Sequence, residues 1–267
     1  DIYFAGVLDW GVEGIALGTI IAEWSTVIFA VWLIMRELNS RRERGSEFWP
    51  RSRLLDGAAL KKMLAANRDI MIRTLLLVFS FGFFINQSAQ FGDIVLAANH
   101  ILLQLISFAA FFLDGYAFVV ESLVGSSLGA KRRDSFDIAV KRSSILALVT
   151  AAVLALLLLL FGDSVVAVLT DIEPVQAAAQ GSLFLAAIYI FFSFAAFQLD
   201  GIFIGASFTR QMRNAAILSI AVFLAAWWIL MDRFGVNGLW WAMIIYVAAR
   251  ADALLLFYPA LSKSIDA

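Results

Sequence analysis

The sequence predicts an all-α membrane protein, a polytopic helical bundle of seven full crossings plus half of another. Three observations predict it. The chain is 62% hydrophobic and only 15% charged, with 24 Phe in 267 residues and a mean hydropathy of +0.88; soluble domains carry roughly 25% charged residues. Apolar runs longer than the ~18 residues that argue for a membrane helix recur along it, with no strand-like alternation between them. Its Lys and Arg residues are sorted onto alternate connections.

The elements follow in order. The chain opens Asp1-Ile2-Tyr3-Phe4-Ala5-Gly6, with neither an initiator Met nor the charged start of a signal peptide, so residues 1–8 read as half of a crossing cut within its helix. Full spans bounded by polar or turn residues follow at about 12–35, 69–90, 94–124, 142–162, 175–205, 211–231 and 237–261. The connection 36–68 holds nine Lys and Arg, 131–142 holds five, 210–213 holds two, and Lys263 follows the last span. The alternate connections, near Asp93, from Asp163 to Glu173 and at Asp232-Arg233, are acidic or nearly neutral. The positive-inside rule therefore places the 36–68 linker and the C-terminus in the cytoplasm. Within that linker Leu54, Leu55, Leu60, Met63 and Leu64, flanked by Lys61, Lys62 and Arg68, suggest an amphipathic helix on the inner membrane face, attracting anionic lipid.

An internal repeat sets the domain plan. Gly11-Val12-Glu13-Gly14 returns as Gly235-Val236-Asn237-Gly238, each ahead of an apolar helix running inward. Equivalent helices in one orientation, six crossings apart, imply a parallel duplication of six-helix halves. Residues 1–35 then end a first half, 36–68 are a linker, 69–261 form a complete second half, and 262–267 are a cytoplasmic tail.

Polar residues inside these spans are the candidate site. A carboxylate in hydrocarbon costs several kcal/mol unless it faces a partner helix or water, so an intramembrane acid is a candidate for carrying ions or binding a polar ligand. Asp114 and Asp200 share a Leu-Asp-Gly context on two spans running the same way, with Gly115 and Gly201 as candidate bend points. In low dielectric such groups can alternate between protonated and charged forms; the structural alternative is a pairing with Lys or Arg. Glu121 lies two turns beyond Asp114 on the same face, close enough to the 131–133 basic cluster for an inner-gate ion pair. Asn86, Gln87 and Gln90 near one helix end, and His100 and Gln104 in the next span, either line a cleft or hold helices together. Phe79, Phe81, Phe83, Phe84, Phe108, Phe111 and Phe112 could build a chamber for flat cations, or simply face lipid. Trp10, Trp24, Trp227, Trp228, Trp240 and Trp241 read as interface anchors.

Enzyme chemistry finds no support. There is no Ser-His-Asp set, phosphate loop or metal-ligand spacing, and zero cysteines exclude disulfides, zinc thiolates and Cys nucleophiles. A membrane-embedded enzyme is the distant alternative.

The runs Leu113 to Ala130 and Leu199 to Ala206, with the two Gly-Val-x-Gly turns, resemble the multidrug and toxic compound extrusion (MATE) transporters, in particular their DinF-like branch. The resemblance covers essentially the whole chain. It implies a twelve-helix antiporter of two six-helix lobes around a central cleft, with the first lobe mostly missing from this chain. Such carriers export organic cations, drugs or toxic metabolites across the cytoplasmic membrane in exchange for H⁺ or Na⁺. It further implies small amphipathic or cationic substrates, no cofactor beyond the coupling ion, membrane lipids as neighbours, no nucleic acid, and a monomer. Asp200 matches an acidic position on the corresponding helix of the family, and Asp1 resembles the end of the first lobe's Asn-x-x-x-Asp segment. Some members carry an acid in the helix equivalent to 69–90, where this chain has Arg73 and no acid beyond Asp69; the departure favours protons over sodium. A lipid-linked oligosaccharide flippase of the same superfamily is the alternative, and it should show several Arg or Lys in the cleft to hold pyrophosphate.

Overall fold

The computed structural model describes residues 3–4, 10–41 and 56–265. Six helices dominate it: α1 (Gly11–Arg41), α2 (Gly57–Ala89), α3 (Asp93–Gly129), α4 (Arg133–Leu169), α5 (Glu173–Gly205) and α6 (Thr209–Lys263). All six are long and apolar enough to cross a membrane. Contacts divide the chain into two compact units, Asp1–Leu60, which holds α1, and Lys61–Ala267, which holds most of α2 and all of α3 to α6.

Six elements among the described residues correct the sequence reading of seven full crossings and a half. The spans at 211–231 and 237–261 are one 55-residue element, α6. A straight helix of that length would run about 80 Å, against a hydrocarbon slab of ~30 Å. It is not straight: Gly235 takes φ 54° and ψ −128°, outside helical geometry. Beyond it the chain folds back, so that the Phe223 and Tyr246 rings lie 5.3 Å apart, where a straight helix would separate the residues by about 35 Å. The two apolar spans meet at a one-glycine hinge rather than a loop, which is why the sixth element counts once. The half crossing in residues 1–8 lies mostly outside the described residues.

The linker reading also changes. Residues 42–55 lie outside the described residues, and the rest of the amphipathic stretch is no separate surface helix. It is the first three turns of α2, which runs unbroken from Gly57 to Ala89. Ala58, Ala59, Leu60, Lys61, Lys62, Met63 and Leu64 are strong helix formers, and no breaker separates them from the apolar span that follows.

The repeated glycines share a positive φ. Gly11 takes 53° and Gly235 takes 54°, a sign of φ that costs residues with a side chain about 1–3 kcal/mol. Three residues on, a Cβ at Gly14 would sit 2.8 Å from the Phe4 carbonyl, and one at Gly238 2.2 Å from the Leu230 carbonyl oxygen. Each motif therefore turns the chain back against the segment before it.

In the second unit, α3 and α5 form the most extensive helix contact, followed by α4 with α5 and α5 with α6. Small residues allow it. A Cβ at Gly201 would lie 2.4 Å from the Ala117 carbonyl oxygen, and one at Gly205 2.4 Å from that of Glu121. Gly201-x-x-x-Gly205 is thus a close-approach seam of the kind that lets membrane helices touch backbone to backbone. The candidate bends at Gly115 and Gly201 do not form, because both helices run through them without interruption. On α4 the buried stripe Ala139, Ser143, Ala147, Ala151 and Ala155 repeats every four residues, leaving its large apolar side chains exposed on the other faces.

The basic connections gather at one end of this unit. Arg213 donates to Asp69 at 2.7 Å, and Arg133 donates to Ser262 at 2.9 Å. At the other end Trp240, read from sequence as an interface anchor, is 1% exposed. Its Nε1 donates to Asn99 Oδ1 at 3.0 Å, its ring meets Phe84 edge-on at 4.9 Å, and Asn99 Nδ2 donates to Ser88 at 2.9 Å. The helix turned back at Gly235 carries Trp240 inward, which flanking sequence alone does not show. Trp240→Phe keeps the ring contact but leaves a buried amide oxygen without its donor, so a loss of about 1–3 kcal/mol is expected, read as a lower melting temperature of the detergent-solubilised protein. An unchanged melting temperature would show that Asn99 does not depend on the indole.

Candidate functional site

Four helices of the second unit enclose a cavity of about 480 Å³. Helical period decides who lines it. On α3, Ser107, Phe111, Asp114, Phe118 and Glu121 recur at intervals of three and four and so share one face. From α5 come Tyr189, Ser193, Phe197 and Asp200, again one stripe, while α2 contributes Arg73, Leu77 and Phe81, and the returning limb of α6 contributes Arg250. The seam at Gly201 and Gly205 sets the spacing of the α3 and α5 stripes.

At the floor of the cavity one carboxylate meets two guanidiniums. Asp200 Oδ2 accepts from Arg73, an ion pair between α2 and α5, and from Arg250 at 2.5 Å, between α5 and α6. The Asp200 and Arg250 side chains are each 10% exposed and Arg73 is 19% exposed. The Arg250 guanidinium also lies 5.9 Å from the centroid of the Tyr246 ring. Three helices are thus pinned by a net positive cluster. In hydrocarbon such charges persist only when they are paired and hydrogen-bonded.

The sequence candidates distribute unevenly. Asp200, Asp114 and Glu121 come together in the cavity. Glu121 faces it, and among the described residues no ion pair joins it to the 131–133 cluster; Arg133 instead pairs with Asp137 at 3.8 Å. His100 and Gln104 are exposed and continue the α3 stripe, since 100, 104, 107, 111 and 114 are spaced by four and three. Asn86, Gln87 and Gln90 are not in the lining; Gln87 is buried and donates to Asn86 at 3.3 Å. At ~100° per residue, Asn86 lies about 140° round α2 from Phe81, and Gln90 lies in the turn after the helix. Asp1 lies outside the described residues. Of the phenylalanines singled out from sequence, Phe81 and Phe111 line the cavity, whereas Phe83 packs edge-on against Trp227 at 4.9 Å and Phe84 against Trp240. Sequence reasoning missed Arg73 as the partner of Asp200, and Phe118, Phe197, Tyr189 and Ser193 as lining. The signal for the last four was available: each lies on the helical face of an intramembrane aspartate.

Long apolar helices around a cavity of paired charges and aromatic rings define a multi-pass membrane protein with a polar interior site. Comparison with known proteins gives the family. The MatE profile matches residues 70–228, and the chain belongs to this family, the multidrug and toxic compound extrusion transporters. It is 32% identical over 258 residues to DNA damage-inducible protein F of Escherichia coli (strain K12), covering 95% of this chain and 54% of that protein. It is 28% identical over 179 residues to a probable multidrug resistance protein, NorM, of Photorhabdus laumondii, covering 64% of this chain and 39% of the relative. Its fold matches the crystal structure of the Vibrio cholerae MATE transporter VcmN in the bent form with a TM-score of 0.80 at 20% identity, covering all of this chain and 59% of that one. The chain spans about half the length of the curated relatives it matches.

Proposed function

We propose that this chain supplies one lobe, and the end of the other, of a secondary antiporter that exports amphipathic, often cationic organic compounds across the cytoplasmic membrane in exchange for H⁺ or Na⁺. The single observation that carries the proposal is the cavity. It combines ring faces from Phe81, Phe111, Phe118 and Phe197 with carboxylates from Asp114 and Glu121, a lining suited to an aromatic cation. Family membership and the relative described as a probable multidrug resistance protein support the same reading.

In this proposal residues 69–261 are the C-terminal lobe, built of α2 to α5 and the two limbs of α6 on either side of Gly235, the basic connections and the C-terminus face the cytoplasm, and the protein works as a monomer among membrane lipids. Asp1, Asp200 and Asp114 are the carboxylates assigned to the coupling ion, with His100 and Gln104 further along the cleft face. Protons are favoured over sodium, because α2 brings Arg73 into the cavity and no acid.

The flippase reading needs cationic side chains free to clamp a pyrophosphate. Both arginines of the cavity are engaged by Asp200, which argues against it.

The test is uptake of a fluorescent lipophilic cation into everted vesicles carrying the full-length protein, under an imposed pH gradient or a Na⁺ gradient. Uptake driven by the pH gradient and abolished by its collapse is expected. Transport that follows neither gradient would sink the antiporter proposal.

A further inference from the structure

The carboxylates of the cavity are not equivalent. Asp200 receives two guanidiniums on a single oxygen, Oδ2. Arginine stays protonated in proteins, so neutralising Asp200 would strand two positive charges inside the bundle. Asp200 is therefore the counter-charge that both guanidiniums share.

Asp114 sits one helix away in the same cavity and is only half-buried. Among the described residues it has no hydrogen bond and no ion pair. The charged groups facing it are Arg73 from α2, Asp200 from α5 and Arg250 from α6, with Glu121 two turns along its own helix. The cavity-lining residues one turn to either side of it on α3 include Phe111 and Phe118.

We propose that Asp114, rather than Asp200, is the carboxylate of this unit at which a proton and the cationic group of an organic substrate exclude one another. The Arg73–Asp200–Arg250 cluster would serve as a fixed positive background. The inference rests on the antiporter reading above.

Charge arithmetic gives the direction. Two arginines and one aspartate leave a net charge of one positive unit. Glu121 lines the same cavity, and whatever charge it carries, a proton on Asp114 makes the cavity one unit more positive and less attractive to a cation. Loss of the proton brings the four groups to neutrality, and a cation can then settle between Asp114 and the rings. Binding of one ligand thereby lowers the affinity for the other, which is the coupling that exchange transport requires. Had Asp200 been the switching group, each cycle would have to break two buried ion pairs.

The test uses purified full-length protein in detergent, with tetraphenylphosphonium as probe. Two quantities are read: protons released into weakly buffered solution on binding, and the dependence of the dissociation constant on pH. Wild type and Asp114→Glu are expected to release protons and to bind more weakly as pH falls. Asp114→Asn should fold, judged by its melting temperature, yet lose the pH dependence, a change of about fivefold or more in the dissociation constant, and release few or no protons.

Retention of the wild-type pH dependence in Asp114→Asn overturns the inference, as does its loss in Glu121→Gln with Asp114 intact. A wild type that binds the probe equally at every pH overturns the antiporter reading for this cation and the present inference with it. The first two results leave wild-type coupling in place and strike only the role of Asp114.

Discussion

Asp200→Asn is expected to destabilise the second unit more than any other conservative change at the cavity. The substitution keeps the size of the side chain and its ability to accept a hydrogen bond, so packing is not the issue. What it removes is, among the described residues, the only negative charge bonded to Arg73 and Arg250. Breaking a buried ion pair from one side costs about 3–5 kcal/mol, because the remaining charge is left uncompensated, and here two charges remain. Partial exposure of Arg73 lets water screen its share, whereas Arg250 is nearly enclosed. In detergent the melting temperature should fall by roughly 10 °C. Arg250→Gln placed on top of Asp200→Asn should recover a substantial part of that loss, since it removes the more deeply buried of the two stranded cations. The measurement is a double-mutant cycle on melting temperature. Additive losses would mean that Arg250 and Asp200 do not depend on one another, and the pinning of α2, α5 and α6 through this cluster would have to be abandoned.

The same cluster shows what the sequence could and could not disclose. Membrane class, helix-rich architecture and the alternation of basic connections follow from composition and spacing, because hydrocarbon permits so few backbone solutions. Helical period also makes faces legible: Asp114 and Glu121 were bound to share one, and Phe118 and Phe197 could have been added by the same rule. Period cannot say which faces meet. Arg73 and Asp200 lie 127 positions apart, and nothing local to either announces the other. Arg250 likewise lies 50 positions from Asp200. Glycine is ambiguous for a similar reason. At Gly235 it permits a hinge at positive φ, at Gly201 it permits contact, and at Gly115 neither is seen; only the neighbouring helix decides.

Gly201→Val should abolish assembly of the second unit, and Gly201→Ala should impair it. At this position α5 touches the backbone of α3: a Cβ would lie 2.4 Å from the Ala117 oxygen, 3.0 Å from the Ala117 carbonyl carbon and 2.9 Å from Val120 Cγ1. The Val120 side chain can turn away, but a helix carbonyl cannot. Relief requires the two helices to part by more than half an ångström along their principal contact. Overpacking in a filled core typically costs about 1–3 kcal/mol for added methylenes, and a branched side chain against backbone belongs at or beyond the top of that range. The damage reaches the site directly, because Asp200 precedes Gly201 and Asp114 lies one turn before Ala117. Displacing α3 from α5 therefore moves Asp114 away from the fixed charges that face it. Gly115→Ala is the matched control. It lies beside Asp114 in the same kind of Leu-Asp-Gly context, but nothing stands within 4 Å of the position its Cβ would take. Replacing glycine by alanine in an open helical site is favourable by about 0.5–1 kcal/mol, so this variant should melt at or slightly above the wild-type temperature. Thermal melting and size-exclusion profiles of the two variants read the contrast. Equal behaviour of Gly201→Ala and Gly115→Ala would refute the close-approach seam, and with it the account of how α3 and α5 hold the cavity open.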